Sequence, residues 1–318
     1  MPQEETHSAE HSAENTLVVL TVGGFLKRVS LEEFEAQKRG GKGVVGGKPK
    51  EEDAIFGITP ARSQDRVLFF TNSGRCYSIE CAEIPVMSRY AIGKKAANLL
   101  GLAAEEYVTF MLAHGGPFEE QPLFLLSAKG VVKRTVLSNF RKPREGGTVA
   151  MSLAEGDSIR SGYVSMRPAE TMIITSSGKV VRFDEETVRV MGKEAQGVRG
   201  VRLSEDDTAV TVCPAYEGMK VLVVSQNGYG KLTPQEDFRK TARGAGGVTG
   251  AKLNDKTGKV AFGGTLRAAE IILCSKKGKV IRFASGDVRE TGRAAMGVRL
   301  MKLDSDDAVS NGTIIAGD

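Results

Sequence analysis

The chain has 318 residues, 41% hydrophobic and 26% charged, which is enough apolar material for a core and excludes disorder of the whole chain. It carries 44 Lys and Arg against 39 Asp and Glu, and four of the acidic side chains lie in the first 14 positions. No apolar run approaches the roughly 20 residues of a transmembrane helix. The acidic N-terminus resembles neither a secretory signal nor a transit peptide. We therefore expect a soluble cytoplasmic protein with a basic body and no membrane partner.

Cofactor and metal chemistry finds no support in the sequence. The four cysteines contain no C-x-x-C pair, so we expect small core side chains at Cys76, Cys81, Cys213 and Cys274. Residues 41–46 match G-x-G-x-x-G, but no strand–helix–strand unit surrounds them, so a dinucleotide site is not predicted. The sequence predicts no metal, no cofactor and no small-molecule substrate.

The elements in chain order begin with a predicted flexible acidic leader, residues 1–15, followed by one domain over residues 16–318. This domain contains six repeats of about 50 residues. Each repeat has an apolar, β-rich run that ends in a hydroxyl residue three positions before a glycine, which we call the anchor glycine. The hydroxyl residues are Thr21, Thr71, Ser127, Thr175, Ser225 and Ser275, and the anchor glycines are Gly24, Gly74, Gly130, Gly178, Gly228 and Gly278. This pattern is typical of a β-hairpin turn.

A second short strand follows each anchor glycine. Ten residues past the anchor stands an apolar residue, at Phe34, Ile84, Phe140, Val188, Phe238 and Val288. A second glycine follows 19 residues past the anchor at Gly43, Gly197, Gly247 and Gly297. We place its counterpart at Gly147 in repeat 3 and at Ala96 or Ala97 in repeat 2. An acidic turn and a last strand complete the unit.

Each unit therefore amounts to about four short strands. A single sheet of this size cannot bury both of its faces, whereas six sheets arranged radially cover one another. We predict an all-β, six-bladed ring resembling a β-propeller. An open linear solenoid is the alternative, and closure is favoured because no terminal repeat has a polar, capping character.

Cations recur at fixed positions in the repeats, which core packing does not require. Some of these cations precede the second glycine, some follow it, and others stand three or four residues past the anchor glycine. The predicted cationic rim consists of Arg28, Lys94, Lys95, Arg134, Lys142, Arg144, Arg182, Lys193, Arg199, Lys231, Arg243, Arg282, Arg293 and Arg299. A ring of such cations would suit a bent polyanion such as duplex DNA.

The first repeat also contains a seven-residue basic, glycine-rich segment, which we call the box. It consists of Gln37, Lys38, Arg39, Gly40, Gly41, Lys42 and Gly43. Glycine allows a phosphate to approach the backbone closely, and the cations add charge-assisted contacts. The box and the sixfold repeat together resemble the C-terminal domain of the DNA gyrase A subunit, over nearly the whole chain from about Asn15.

The resemblance implies a six-bladed β-pinwheel in which neighbouring blades exchange strands. It implies a rim that wraps double-stranded DNA in a positive sense, so that the complete enzyme can introduce negative supercoils. The box would lie on a loop of the first blade near the closure of the ring. The strand-cleaving tyrosine and the ATPase of the topoisomerase belong to other domains, so this chain would not be an enzyme by itself. Its partners would be DNA and the remainder of the gyrase A subunit, with the gyrase B subunit reached through it.

Three alternatives stay open at this stage. The related topoisomerase IV C-terminal domain has a similar repeat but generally lacks an intact box. A free-standing nucleoid-bending protein of the same fold is also compatible with the sequence. A propeller that serves as a protein-interaction scaffold belongs to a different class, and we would expect it to show apolar or mixed patches rather than cations in register.

Overall fold

A computed structural model of the chain describes residues 15–45, 54–116, 121–142 and 145–316. Within them the chain forms 24 strands. In chain order these are β1 (Asn15–Thr21), β2 (Phe25–Ser30), β3 (Val44–Val45), β4 (Ile55–Arg62), β5 (Arg66–Thr71), β6 (Arg75–Glu80), β7 (Lys94–Lys95), β8 (Val108–His114), β9 (Pro122–Ser127), β10 (Val131–Val136), β11 (Thr148–Val149), β12 (Ile159–Val164), β13 (Glu170–Thr175), β14 (Lys179–Asp184), β15 (Val198–Arg199), β16 (Ala209–Ala215), β17 (Lys220–Ser225), β18 (Tyr229–Pro234), β19 (Val248–Thr249), β20 (Val260–Leu266), β21 (Ala269–Ser275), β22 (Lys279–Ala284), β23 (Val298–Arg299) and β24 (Val309–Ala316).

Short helical turns follow the second long strand of each repeat. They are 3-10 turns over Leu31–Glu33, Cys81–Glu83, Leu137–Phe140, Glu185–Thr187, Gln235–Asp237 and Ser285–Asp287, and the described residues contain one α-helix, α1 (Ala96–Leu100). No helix of the described ranges has the length and apolar character to cross a membrane.

The strands form six antiparallel sheets of four strands, the blades, which confirms the predicted all-β architecture. Three strands of each blade come from one repeat, and the outermost strand comes from the next repeat along the chain. From the inside outward, blades 1 to 6 are β4-β1-β2-β7, β8-β5-β6-β11, β12-β9-β10-β15, β16-β13-β14-β19, β20-β17-β18-β23 and β24-β21-β22-β3. The strand exchange implied by the family resemblance is therefore present at every blade.

The ring is closed, because blade 6 takes its outermost strand from repeat 1. Val44 pairs with Val280 and Val45 with Lys279, as in the equivalent pairs of the other blades. At the inner side, β24 of the last repeat contacts β4 of the first. The six inner strands surround a central channel of about 1300 Å³. A closed ring excludes the open solenoid.

The repeated geometry of the hairpin turns explains the spacing of hydroxyl and glycine in each repeat. Each anchor glycine has a φ between 74° and 80°, a left-handed conformation that glycine adopts without steric cost. The amide of Gly24 donates to the carbonyl of Thr21 at 3.0 Å, and the Thr21 hydroxyl accepts from the amide of Phe25 at 3.0 Å. The hydroxyls of Ser127, Thr175, Ser225 and Ser275 accept the equivalent bond.

Six apolar clusters, one between each pair of adjacent blades, form the core. At the closure, Leu17 and Val19 of blade 1 pack with Ile272 and Val280 of blade 6 around Phe34. The apolar residue predicted ten positions past each anchor is buried in every repeat. Each such residue lies at the end of a 3-10 turn or directly after it, and it packs against the preceding blade. The last interface therefore has the same hydrophobic construction as the internal ones.

The cysteines are free and buried, as the sequence predicts. Burial raises the pKa of the Cys213 and Cys274 thiols to about 12. These thiols stay protonated near neutral pH and behave as apolar side chains.

Candidate nucleic-acid interface

The box lies at the outer rim, where repeat 1 crosses onto blade 6. Its backbone is fixed by three hydrogen bonds to the last repeat. The amide of Gln37 donates to the carbonyl of Arg282 at 2.7 Å, and that of Gly40 to the carbonyl of Leu300 at 2.6 Å. The carbonyl of Gly41 accepts from the amide of Lys302 at 2.9 Å. The side chains of Lys38, Arg39 and Lys42 are left exposed to solvent.

Two glycines of the box allow this close contact between backbones. A Cβ atom on Gly43, whose φ is 72°, would lie 2.8 Å from the Val280 carbonyl oxygen. A Cβ atom on Gly41 would lie 2.8 Å from the Gln37 Oε1 atom and 3.4 Å from the Ile281 Cδ1 atom. The glycines of the box thus bring the loop onto blade 6, and the basic side chains face outward.

Every repeat has a loop at the position of the box. Arg39 of the box corresponds to Arg89, Lys193, Arg243 and Arg293 in the loops of repeats 2, 4, 5 and 6. The prediction that the second glycine of repeat 2 drifts to Ala96 or Ala97 is wrong. Gly93 holds that position, with a φ of 101°, and its Cβ would lie 2.8 Å from the Leu26 carbonyl oxygen. Ala96 and Ala97 instead begin α1.

In repeat 3 the loop is two residues shorter, and Lys142 in it is exposed. The predicted rim residue Arg144 lies outside the described residues. Gly147 has a φ of 68° and approaches the Tyr77 ring, in agreement with its assignment as the second glycine of this repeat.

Hydrogen bonds link the rim loops of repeats 4, 5, 6 and 1 in sequence, and the residues that make them include three exposed cations that sequence reasoning missed. The amides of Arg202 and Lys252 donate to the carbonyls of Ala245 and Ala295, at 3.0 and 3.2 Å, as Lys302 does to Gly41. All three basic side chains are exposed. Their signal was present in the sequence, since each stands five residues after a second glycine.

A ring of cations appears at the outermost pair of strands, where each blade contributes one cation to one cross-strand pair. Blades 1, 3 and 5 take it from the exchanged strand, and blades 2, 4 and 6 from their own strand. The pairs, in blade order, are Phe25 with Lys95, Arg75 with Val149, Val131 with Arg199, Lys179 with Thr249, Tyr229 with Arg299, and Lys279 with Val45.

Sequence reasoning found only half of this ring. Lys95, Arg199 and Arg299 were predicted, and the structure places all three in exposed positions. Arg75, Lys179 and Lys279 directly follow their anchor glycines and were missed. Their equivalence to the other three becomes visible only once the outer strand is known to belong to the next repeat.

Neighbouring groups hold several of these cations in place. The Lys95 Nζ atom lies 3.9 Å from the centre of the Phe25 ring, and an Arg299 Nη atom donates to the Tyr229 hydroxyl at 3.0 Å. The Arg299 guanidinium lowers the pKa of Tyr229. Lys279 is paired with the Asp304 carboxylate, which reduces its availability to another anion.

Four arginines predicted for the rim instead join adjacent repeats, and this corrects the prediction. Arg28 is only 8% exposed, and its Nε atom donates to the Ile84 carbonyl at 3.0 Å. The equivalent arginines of later repeats are partly buried and reach the next 3-10 turn. Arg134 pairs with Glu185 at 3.2 Å, Arg182 donates to the carbonyls of Gln235 and Phe238, and Arg282 donates to those of Leu31 and Phe34.

Carboxylates within the fold already neutralise three of these arginines, since Arg134 pairs with Glu185, Arg182 with Glu170 and Arg282 with Glu270. Their recurrence at a fixed position reflects a repeated contact between blades. Arg282 makes this contact across the closure of the ring, from repeat 6 to repeat 1.

Lys231 was also predicted for the rim and is 1% exposed. Its Nζ atom donates to the carbonyls of Gly292 and Arg293, both at 2.6 Å, beneath the loop of repeat 6. Lys27 and Lys133 stand at the same position of blades 1 and 3, are 3% and 0% exposed, and donate to carbonyls of the loops of repeats 2 and 4. Burial lowers the pKa of Lys133 and of Lys231 to about 8. These lysines support the rim loops from below and do not reach the surface.

The exposed or half-exposed cations that remain form the candidate interface. From the prediction these are Lys38, Arg39, Lys42, Lys94, Lys95, Lys142, Lys193, Arg199, Arg243, Arg293 and Arg299; the structure adds Arg75, Arg89, Lys179, Arg202, Lys252, Lys279 and Lys302. Among the described residues, no group of three or more His, Cys, Asp and Glu side chains is arranged to hold a metal ion.

Comparison with known proteins agrees with this architecture. The family described as DNA gyrase C-terminal domain, beta-propeller, matches six segments, residues 15–62, 65–114, 121–165, 169–212, 220–262 and 269–315. The A subunit of DNA gyrase from Salmonella typhimurium is 39% identical over 208 residues, and that from Escherichia coli is 39% identical over 199 residues. These stretches cover 65% and 63% of this chain but 24% and 23% of the relatives, so the chain matches about a quarter of their length.

Solved structures give the same result. A structure of the DNA gyrase A C-terminal domain aligns with a TM-score of 0.86 and 28% identity, covering 95% of this chain and all of the other. A C-terminal domain of DNA topoisomerase IV shares the fold, with a TM-score of 0.71 and 21% identity. The six matched segments coincide with the six repeats that form the blades. The chain belongs to the DNA gyrase C-terminal beta-propeller family.

Proposed function

We propose that this chain binds duplex DNA along its outer rim and bends it around the ring. The observation that carries this proposal is the closed ring in which every blade contributes one cation to its outermost cross-strand pair. Duplex DNA carries one negative charge per roughly 1.7 Å of its axis, so a continuous phosphate track can meet cations that recur around a circumference.

The energetics favour many distributed contacts. Bending a short duplex by 40–90° costs on the order of 1–6 kcal/mol. Each neutralised phosphate releases counterions and offsets part of that cost. The loop cations and the cross-strand ring supply contacts all along the bend. The described residues present no helix long enough to read a groove, so sequence preference should follow DNA deformability.

Within the complete gyrase, the wrap would be positive and would allow the enzyme to introduce negative supercoils. The chain would then work with the rest of the gyrase A subunit, through which it would meet the gyrase B subunit, in the bacterial cytoplasm at the nucleoid. The chemistry of strand cleavage and ATP hydrolysis would be supplied by those other parts. This chain would contribute DNA geometry and no catalytic group of its own.

A salt titration tests the binding surface. With about 6–10 phosphate contacts, the logarithm of the affinity for a short duplex should fall with the logarithm of salt with a slope near −5 to −9. A slope near zero would reject the rim as a DNA-binding surface.

A charge-matched pair of variants tests the box. Lys38→Ala/Arg39→Ala/Lys42→Ala should reduce bending, measured by energy transfer between dyes at the duplex ends, more than it reduces binding. The control Lys129→Ala/Lys276→Ala/Lys277→Ala removes three cations near the anchor turns and should leave bending intact. If both variants bend DNA as strongly as the wild type does, the box contributes to packing alone and not to bending.

The handedness of the wrap is tested on relaxed circular DNA. The chain is bound, the DNA is treated with a nicking-closing topoisomerase, and the sign of the change in linking number is measured. A positive change supports the proposed wrap. No change would show that the chain binds DNA without wrapping it.

A further inference from the structure

The rim loop of repeat 2 differs from the other loops, because it displays two large apolar side chains that are half exposed. Tyr90 and Ile92 are 51% and 50% exposed. Val86 in the same loop is 59% exposed, but it does not set the loop apart, because its counterpart in repeat 4, Val190, is 49% exposed. Tyr90 and Ile92 occupy the positions that Gly40 and Lys42 hold in the box. This loop therefore presents apolar surface at the point where the box presents charge and bare backbone.

The position of Tyr90 is fixed from two sides. The buried Lys27 Nζ atom donates to the carbonyls of Arg89 and Ala91, both at 2.6 Å, on either side of Tyr90. The Arg89 guanidinium lies 4.7 Å from the centre of the Tyr90 ring and donates to the Glu33 carbonyl at 3.0 Å. The Arg89 amide donates to the Glu33 carboxylate at 2.8 Å. The ring is thus held at the surface, although an aromatic side chain would normally be buried.

The charge around this loop indicates which partner its apolar side chains would contact. Lys94 and Lys95, both exposed, directly follow the loop, and Lys95 belongs to the cross-strand ring of cations. An exposed apolar pair next to cations complements DNA, whose bases lie between two rows of phosphates. Proteins that bend DNA frequently insert apolar side chains between base steps and thereby kink the duplex.

We propose that Tyr90 and Ile92 form an apolar wedge that contacts the bases and concentrates the DNA bend at the loop of repeat 2. This inference rests on the proposed function and adds to it a point where the curvature is localised. The other rim loops would hold phosphates, and this loop would unstack a base step. Flexible pyrimidine–purine steps should then be preferred here.

The test uses the 318-residue chain and duplexes that carry 2-aminopurine at successive positions, since the fluorescence of this base rises when it is unstacked. The wild-type chain should give a rise at one or two positions. Tyr90→Ala/Ile92→Ala should abolish the rise, reduce end-to-end energy transfer and lower the affinity about fivefold or more, because base stacking on an aromatic ring is lost. Its salt slope should be unchanged. Tyr90→Phe should retain the rise.

Tyr107→Ala is the matched control, because Tyr107 is 60% exposed and lies outside the loop of repeat 2, beside an anchor turn where its amide donates to the Asn72 side chain. It should behave as the wild type. If the wild type bends DNA but the fluorescence shows no position that depends on Tyr90 and Ile92, the wedge is rejected and the wrapping proposal stands. If the wild type fails to bend DNA, both proposals are rejected. A wild-type dimer that Tyr90→Ala/Ile92→Ala dissociates would also overturn the wedge, in favour of contact between copies.

Discussion

Two kinds of rim loop occur around the molecule, and the box belongs to one of them. In the loops of repeats 1 and 5, a glycine with positive φ donates its amide to the preceding repeat, as Gly40 does to Leu300 and Gly244 to Gly200. In the loops of repeats 2, 4 and 6, that position is Tyr90, Glu194 or Ala294, and a buried lysine of the blade beneath donates to loop carbonyls. The rim loops are therefore held in place in two ways, by a hydrogen bond from a glycine amide or by hydrogen bonds from a buried lysine.

This difference shows that a cation which recurs at a fixed position in the repeats can have either of two roles: it supports a loop from below, or it lies at the surface of the loop. Lys133 and Lys193 both recur in register, yet the first lies beneath the loop and donates to the carbonyl of the second. Only the second is partly exposed and could contact the proposed DNA. A repeat pattern identifies both and does not separate them.

The largest effect is expected where a glycine is replaced at the closure of the ring. Gly43→Ala places a Cβ against the Val280 carbonyl in a left-handed conformation, and should lower the free energy of unfolding by roughly 2–4 kcal/mol. Gly247→Ala creates the same 2.8 Å contact with Val180 inside the ring. Urea unfolding should give similar losses for both. Hydrogen exchange at β22 should rise more in Gly43→Ala than in Gly247→Ala, because only the first also loosens the closure locally. Equal exchange in the two variants would contradict a vulnerable closure.

Removing a buried lysine should have the next largest effect. Lys133→Met leaves the carbonyls of Ala150 and Lys193 without their donor and should cost about 1–3 kcal/mol of stability. Lys193→Met, in the loop above, should leave stability unchanged and weaken DNA binding. Thermal unfolding and DNA titration on both variants separate the two roles, and an unchanged stability of Lys133→Met would show that the buried charge contributes nothing.

Exchanging the small residues of the two loop kinds should give smaller changes. Gly40→Ala retains its backbone path only at a cost of about 1–2 kcal/mol, because its φ is 79°. Ala294→Gly should cost less than about 1 kcal/mol, through the entropy of the unfolded chain alone. Chemical denaturation measures both. If Gly40→Ala is the milder change, the glycine in the box is present for a reason other than its conformation.

The last prediction concerns a dependence of stability on pH. The pKa of Lys133 and of Lys231 is about 8 in the folded chain, against 10.5 for an ordinary lysine. Between these values the unfolded chain binds more protons, so these lysines should make stability rise as the pH increases from about 8 to about 10. Urea unfolding of the wild type and of Lys133→Met/Lys231→Met at both pH values isolates the contribution. A rise of equal size in both proteins would assign it to other groups.

The fold could be predicted largely from the sequence, because repetition makes weak local signals coincide. The hydroxyl and glycine of each hairpin turn, together with the buried residue ten positions later, recur in every repeat and define the blades. The second glycine of repeat 2 was predicted at Ala96 or Ala97, although Gly93 stands 19 residues past the anchor glycine, as in repeats 1, 4, 5 and 6.

The candidate site could be predicted only in part. The box and residues such as Arg199 and Arg299 were found from their spacing. Arg75 and Lys279 were missed because their equivalence depends on strands exchanged between repeats, which no spacing within one repeat reveals. Arg28 and Lys231 were misassigned because burial of a charged side chain depends on carbonyl partners supplied by a neighbouring repeat.

The exchange of outer strands has a mechanical consequence for the whole ring. A repeat that melts withdraws its loop and its outer strand from the blade before it, which exposes a fresh edge on that blade, and it leaves the strand donated by the next repeat without a partner. Damage therefore spreads in both directions, unlike in a linear array, where a terminal unit can fray independently. We therefore expect such a ring to resist stepwise erosion and to unfold cooperatively, which would suit the proposed role of holding a stiff, curved polymer under tension.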